Sequence, residues 1–195
     1  MLLLHGSLPT GYEEVLQWRL SDKPIRVIVL QLLAVPLFIV AGLIFLGLAV
    51  SLGELPASNK FGLTEMIIAV MGILLTLIGH ELIHGVAMQM FGATPQYGVL
   101  WKKLMLYATT PGFAYRRNAY LQIALAPLLI LSIVSIGGMG LLRGTLWVAL
   151  FGLCGALNVG GAIGDIWLAL IVLRYPATAY VIDDRDGINV FLPKS

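Results

Sequence analysis

The sequence predicts an all-α membrane protein of about four transmembrane helices, with a short β-hairpin-like cytosolic loop and a similar tail. Three observations carry that expectation. Hydrophobic residues make up 59% of the 195-residue chain and charged residues only 11%, where a soluble domain carries about a quarter charged residues. Four stretches are long and uncharged enough to cross a bilayer, which takes about 20 apolar residues in a helix. The basic residues gather on one side of those stretches. The length suits one membrane domain spanning 1–195.

The elements follow in order. "MLLLHGSLP" is too short an apolar run for a signal peptide and has no basic leader, so none is expected. His5 within it reads as an exposed polar residue. The first span covers 25–52, with Pro36 as a kink. "GELPASNKFG" is a turn-forming loop, and the second span runs over 64–91. In the 92–118 loop, "TPQYGVLWKKLMLYATTPGF" gives two strand-like runs around a Lys-Lys turn, closed by Pro111-Gly112. An amphipathic loop with Tyr97, Trp101 and Tyr107 at the headgroup level is the competing reading. Spans three and four, 119–142 and 145–173, are joined by Arg143 and Gly144 as a tight hairpin. The tail "YVIDDRDGINVF" reads as a hairpin turning at Asp186-Gly187. Its acidic cluster lacks the first carboxylate and closing Glu of a calcium loop, and reads as a solvated turn.

Charge sets orientation and excludes some partners. Arg19, Lys23 and Arg26 precede span one; Lys102, Lys103, Arg116 and Arg117 separate spans two and three; Arg174, Arg185 and Lys194 follow span four. Only Lys60 and Arg143 lie in the other two loops. The positive-inside rule then places both termini and the 92–118 loop in the cytosol. The expected location is a bacterial cell membrane, with the lipid bilayer as the first partner. A net charge of +2 gives no reason to expect nucleic acid. Cys154, the single cysteine, excludes an intramolecular disulfide and a Cys-rich metal site.

The chemistry lies in "LLTLIGHELIHGVAMQMF", residues 74–91. His80 and His84 are four residues apart and share a helix face, so both imidazoles can reach one metal ion. Glu81 follows the first ligand, placed to reach a metal-bound water without being a ligand. Zinc acidifies such a water, and a carboxylate takes its proton and passes it to the leaving amine. A catalytic zinc needs a third protein ligand. No histidine follows His84, and Asp165 is the only acidic residue besides Glu81 deep inside a span. Ionisable groups at that depth are costly and mark function. At 1.5 Å per residue, His84 and His80 lie roughly 10 and 16 Å before the cytosolic end of their span and Asp165 roughly 13 Å before the end of its own. Gly155, Asn158, Gly161, Ala162 and Asp165 form one small-and-polar stripe on span four, which also suits plain helix packing. Two further readings stay open for the histidines: interhelical hydrogen bonding, and metal binding without catalysis.

These residues resemble a known group. His-Glu-x-x-His in one span and Asn-x-x-Gly-x-x-x-Asp in a later one are similar to the site-2 protease superfamily of intramembrane zinc proteases. "GHELIHGVAMQMFGATPQYGV", "YLQIALAPLLI" and "NVGGAIGD" more closely resemble a family of small membrane proteins described as zincin peptidases. The resemblance implies a Zn2+ cofactor held by His80, His84 and Asp165, with Glu81 as the catalytic base. It also implies that Asn158 helps to hold a peptide or membrane-protein substrate. Site-2 proteases have prolines between that asparagine and aspartate, followed by Asp-Gly; here glycines intervene and Ile166 follows. The resulting expectation is a zinc-dependent peptidase acting in or near the membrane. Tyr97 and Tyr107 of the loop are further substrate-binding candidates, since an exposed strand edge can hold an extended peptide. The alternative is a non-catalytic metal-binding or sensory membrane protein. The sequence does not set the oligomeric state.

Overall fold

A computed structural model describes residues 6–52, 62–101 and 105–194. His5, most of the 53–62 loop and the Lys102-Lys103 turn lie outside the described residues. The element order is β1 (Tyr12–Arg19), α1 (Pro24–Leu52), α2 (Leu63–Met90), β2 (Gln96–Leu100), β3 (Met105–Thr109), β4 (Ala114–Arg116), α3 (Arg117–Leu141), α4 (Trp147–Gly161), α5 (Ile163–Leu173), β5 (Tyr180–Asp184) and β6 (Gly187–Pro193). Among the described residues three helices, α1 to α3, are long and apolar enough to cross a membrane, and their ends fall within two residues of the expected ones. Large apolar side chains stand exposed along them, among them Leu32, Leu43, Val50, Leu75 and Ile133.

The fourth expected span is broken. Its helix stops after Gly161, and Ala162 takes φ −71° and ψ 5° with its N–H on the Asn158 carbonyl. α5 then starts at Ile163, and the pair counts as one span only when read across the break. Gly160, Gly161 and Gly164 flank that point, where the lack of side chains weakens a helix.

The chain divides into two compact units. One comprises Gln31–His80 and Pro127–Ile163. Its core joins Ala41, Phe45 and Ala49 of α1, Met139 of α3, and Val148 and Ala156 of α4. Glycines make this packing possible. A Cβ on Gly155 would lie 2.4 Å from the Phe45 ring, and one on Gly138 would lie 2.5 Å from Phe151. Aromatic rings thus rest directly on helix backbone, the close approach that small residues permit.

The other unit comprises Met1–Leu30, Glu81–Ala126 and Gly164–Ser195. It contains a β-structure larger than the sequence implies: a four-stranded antiparallel sheet ordered β1-β6-β5-β4. The expected tail hairpin is present, with Asp184 paired to Gly187 around Arg185-Asp186. β1, which nothing in the sequence announces, pairs along β6 from Tyr12↔Pro193 to Arg19↔Gly187. A bulge between Glu14 and Leu16 interrupts the alternation of β1 and turns Leu16 and Trp18 toward the core. That core gathers Met88 of α2, Tyr120, Ile123 and Ala124 of α3, Val172 of α5, and Val181, Ile188 and Val190 of the sheet. β2 and β3 form a separate two-stranded hairpin in full register, Gln96↔Thr109 to Leu100↔Met105.

Candidate metal centre

The site grows from α2, which runs unbroken through the histidine pair. His84 is buried and His80 half-buried, one turn apart on the same face. Asp165 sits in the first turn of α5, just past the break in the fourth apolar stretch. One ligand atom from each of His80, His84 and Asp165 lies within 4.8 Å of the others. Nε2 of His84 and Oδ1 of Asp165 are 3.4 Å apart. Ligands about 2.1 Å from a tetrahedral zinc are separated by roughly 3.4 Å, so this spacing fits a shared ion.

The outer nitrogens of both rings are engaged. Nδ1–H of His84 donates to the Ile123 carbonyl oxygen at 3.0 Å. That oxygen can only accept, so the proton is on Nδ1 and the Nε2 lone pair is the ligand position. His80 Nδ1 lies 3.0 Å from Asn158 Oδ1. Asn158 is buried, and its Nδ2 donates to the carbonyls of Pro127 at 3.3 Å and Leu128 at 3.4 Å. With the amide nitrogen committed to two acceptors, the oxygen faces His80 and fixes the same tautomer there. Metal-binding histidines characteristically donate their other N–H to a carbonyl or carboxylate in this way. Two imidazoles so oriented and one carboxylate are a donor set that suits zinc. Glu81, next to His80 in sequence, is half-buried on α2.

Asn158 is therefore in contact with His80. Tyr97 packs on α2: a Cβ on Gly85, the residue after His84, would fall 1.9 Å from the Tyr97 hydroxyl. Tyr107 crosses the hairpin to cover Gly98, its direct partner, and lies under the Arg185 guanidinium at 6.0 Å. Both tyrosines thus have packing roles within the hairpin and against α2. Among the described residues, neither β2 nor β3 pairs with a third strand.

Sequence reasoning missed Asp183 and its partner Tyr120. Asp183, read as part of a solvated turn, lies on the core face of β5. It shares that face with Val181, and their partners Ile188 and Val190 are fully buried. The Tyr120 hydroxyl, on α3, donates to Asp183 Oδ1 at 3.5 Å. Burial pushes the Asp183 carboxyl up to about 7; the Thr109 hydroxyl and His84 oppose the shift, while Asp165 and Asp184 add to it. His84 and Asp165 therefore exert their fields on Asp183, a second carboxyl beside the metal-ligand candidates. Period-two alternation through "YVIDD" was the available signal, since it places Asp183 on the face of Val181. Neighbouring Tyr115, hydrogen-bonded to Thr110 at 2.7 Å, is raised to about 12, chiefly by burial.

A family model described as "Putative zincin peptidase" matches residues 73–180, which include the histidine pair, Asn158 and Asp165. No curated protein and no solved structure matches the chain significantly.

Proposed function

The chain belongs to this zincin peptidase family, and from that premise we propose that it is a membrane-embedded, zinc-dependent peptidase cutting peptide bonds in or near the bilayer. The observation that carries the reading is the pair of engaged Nδ1 atoms, which turns two imidazole Nε2 atoms and the Asp165 carboxylate into one donor set. Zinc, when bound, supplies Lewis acidity that acidifies water and polarises a peptide carbonyl. The chain's own residues do the rest. His80, His84 and Asp165 hold the ion, and Asn158 and the Ile123 carbonyl keep the imidazoles in the binding tautomer. Glu81 takes a proton from the attacking water and delivers it to the leaving amine, as a general base and then a general acid.

Three apolar helices and the exposed side chains along them support insertion in a bilayer. Hydrocarbon is the solvent in which such exposure carries no penalty. The excess of basic residues around β1, the 92–118 loop and the tail supports a cytosolic placement of the termini. The β2–β3 hairpin, followed by Tyr97 onto α2 beside His84, is the proposed place where an extended peptide docks by backbone pairing. The relation to site-2 proteases rests on His-Glu-x-x-His and on the later Asn-x-x-Gly-x-x-x-Asp. The test is proteolysis by wild-type and Glu81→Gln protein at equal zinc content. Equal cleavage by the two would leave a metal-binding or sensory protein as the better reading.

A further inference from the structure

Both metal-site histidines are hydrogen-bonded to one stretch of α3, residues 123–128, directly for His84 and through Asn158 for His80, and that stretch contains a proline. Pro127 lies inside α3, buried, ten residues after its start at Arg117. In an α-helix the N–H of a residue bonds the carbonyl four residues earlier, so the missing N–H of Pro127 withdraws the regular donor from the Ile123 carbonyl. That carbonyl is the one that accepts from His84 Nδ1 at 3.0 Å. The next two carbonyls involved, those of Pro127 and Leu128, accept from the Asn158 amide, whose oxygen holds His80.

We infer that Pro127 is a positioning residue of the metal site: by leaving the Ile123 carbonyl without its helical donor, it reserves that oxygen for His84 and so fixes the ring's binding tautomer. The inference rests on the zinc reading above. A contrast within the same chain sharpens it. Pro36 likewise sits inside a helix, α1, and its missing N–H withdraws the donor from the Leu32 carbonyl. Among the described residues no side chain is seen to donate to that carbonyl. The two prolines therefore share a backbone effect, and only Pro127 is linked to a ligand. A proline inside a helix is normally unfavourable, so replacing it restores a hydrogen bond and favours the helix. The role in metal binding and the role in helix stability thus have opposite signs.

The experiment uses the full chain purified in detergent. Zn2+ affinity is measured by competition with a chromophoric chelator, and thermal unfolding is followed in the metal-free protein. Pro127→Ala restores the N–H, and Pro127→Val restores it while keeping more of the buried volume. Both are expected to weaken zinc binding by about 10-fold or more, the usual effect of losing an outer hydrogen bond to a ligand. The metal-free unfolding midpoint of at least one variant should be unchanged or higher. Pro36→Ala should leave zinc affinity unchanged. Zinc affinity within about twofold of wild type in both Pro127 variants overturns the inference, and so does failure of both to fold. If wild-type protein binds no zinc, the peptidase reading itself fails; wild-type binding with unaffected variants sinks only the role of Pro127.

Discussion

Gly85→Ala tests how the β2–β3 hairpin is fixed to α2. The new Cβ would lie 1.9 Å from the Tyr97 hydroxyl, 2.5 Å from Cζ and 2.9 Å from Cε1, where ordinary contact begins near 3.4 Å. Tyr97, whose ring is exposed, would have to retreat from α2 by about 1.5 Å to restore ordinary contact. Overpacking of this kind costs about 1–3 kcal/mol. The same change in a helix interior otherwise gains about 1 kcal/mol from propensity. The sign of the effect therefore depends on Tyr97. In wild type, Gly85→Ala should lower unfolding stability by up to about 2 kcal/mol; in a Tyr97→Ala background it should raise it by up to about 1 kcal/mol. A double-mutant cycle on detergent-purified protein, read by thermal or denaturant unfolding, gives the coupling directly, expected at about 1–3 kcal/mol. An equal effect of Gly85→Ala in both backgrounds would refute the contact and remove the hairpin from the neighbourhood of His84.

Two further outcomes are expected. The Asp183 carboxyl is raised to about 7 in the folded chain from 3.8, so its contribution to stability is fully present below pH 3.8 and is lost as pH rises through about 7. Asp183→Asn removes that dependence, and in metal-free protein the variant should gain roughly 1–3 kcal/mol relative to wild type between pH 4.5 and 8; a stability difference that does not change with pH contradicts the burial of this carboxyl. Asp165→Asn should lower zinc affinity by more than about 100-fold, and full zinc occupancy in that variant at low micromolar metal would end its assignment as the third ligand.

Much of this was legible in the sequence because long apolar helices are local objects. The bounds of α1, α2 and α3 follow from runs of apolar residues, and His80, His84 and Asp165 stand out because charge is scarce there. The structure brings those three together, as their depths suggested. The β-structure was harder to see. β1 finds its partner at β6, about 170 residues away, and its bulge at Val15 destroys the alternation that would mark a strand. The break at Ala162 is a competition among weak helix positions, which composition hints at through Gly160, Gly161 and Gly164 without fixing the residue. Asp183 was hidden by its neighbours, because Asp184, Arg185 and Asp186 read as a charged surface turn. The parts played by Ile123 and Pro127 depend on a hydrogen bond to His84, 39 residues from Ile123, and no local pattern encodes it.

The measurement that bears most directly on the central claim is proteolysis by purified wild-type and Glu81→Gln protein, each with its zinc content determined in the same sample. Proton transfer by a positioned carboxylate contributes about 10²–10⁴-fold to rate. Equal zinc in the two proteins, with cleavage by the variant lower by about that factor, is the predicted result. Undiminished cleavage by Glu81→Gln, or wild-type protein that cleaves without zinc, would contradict it.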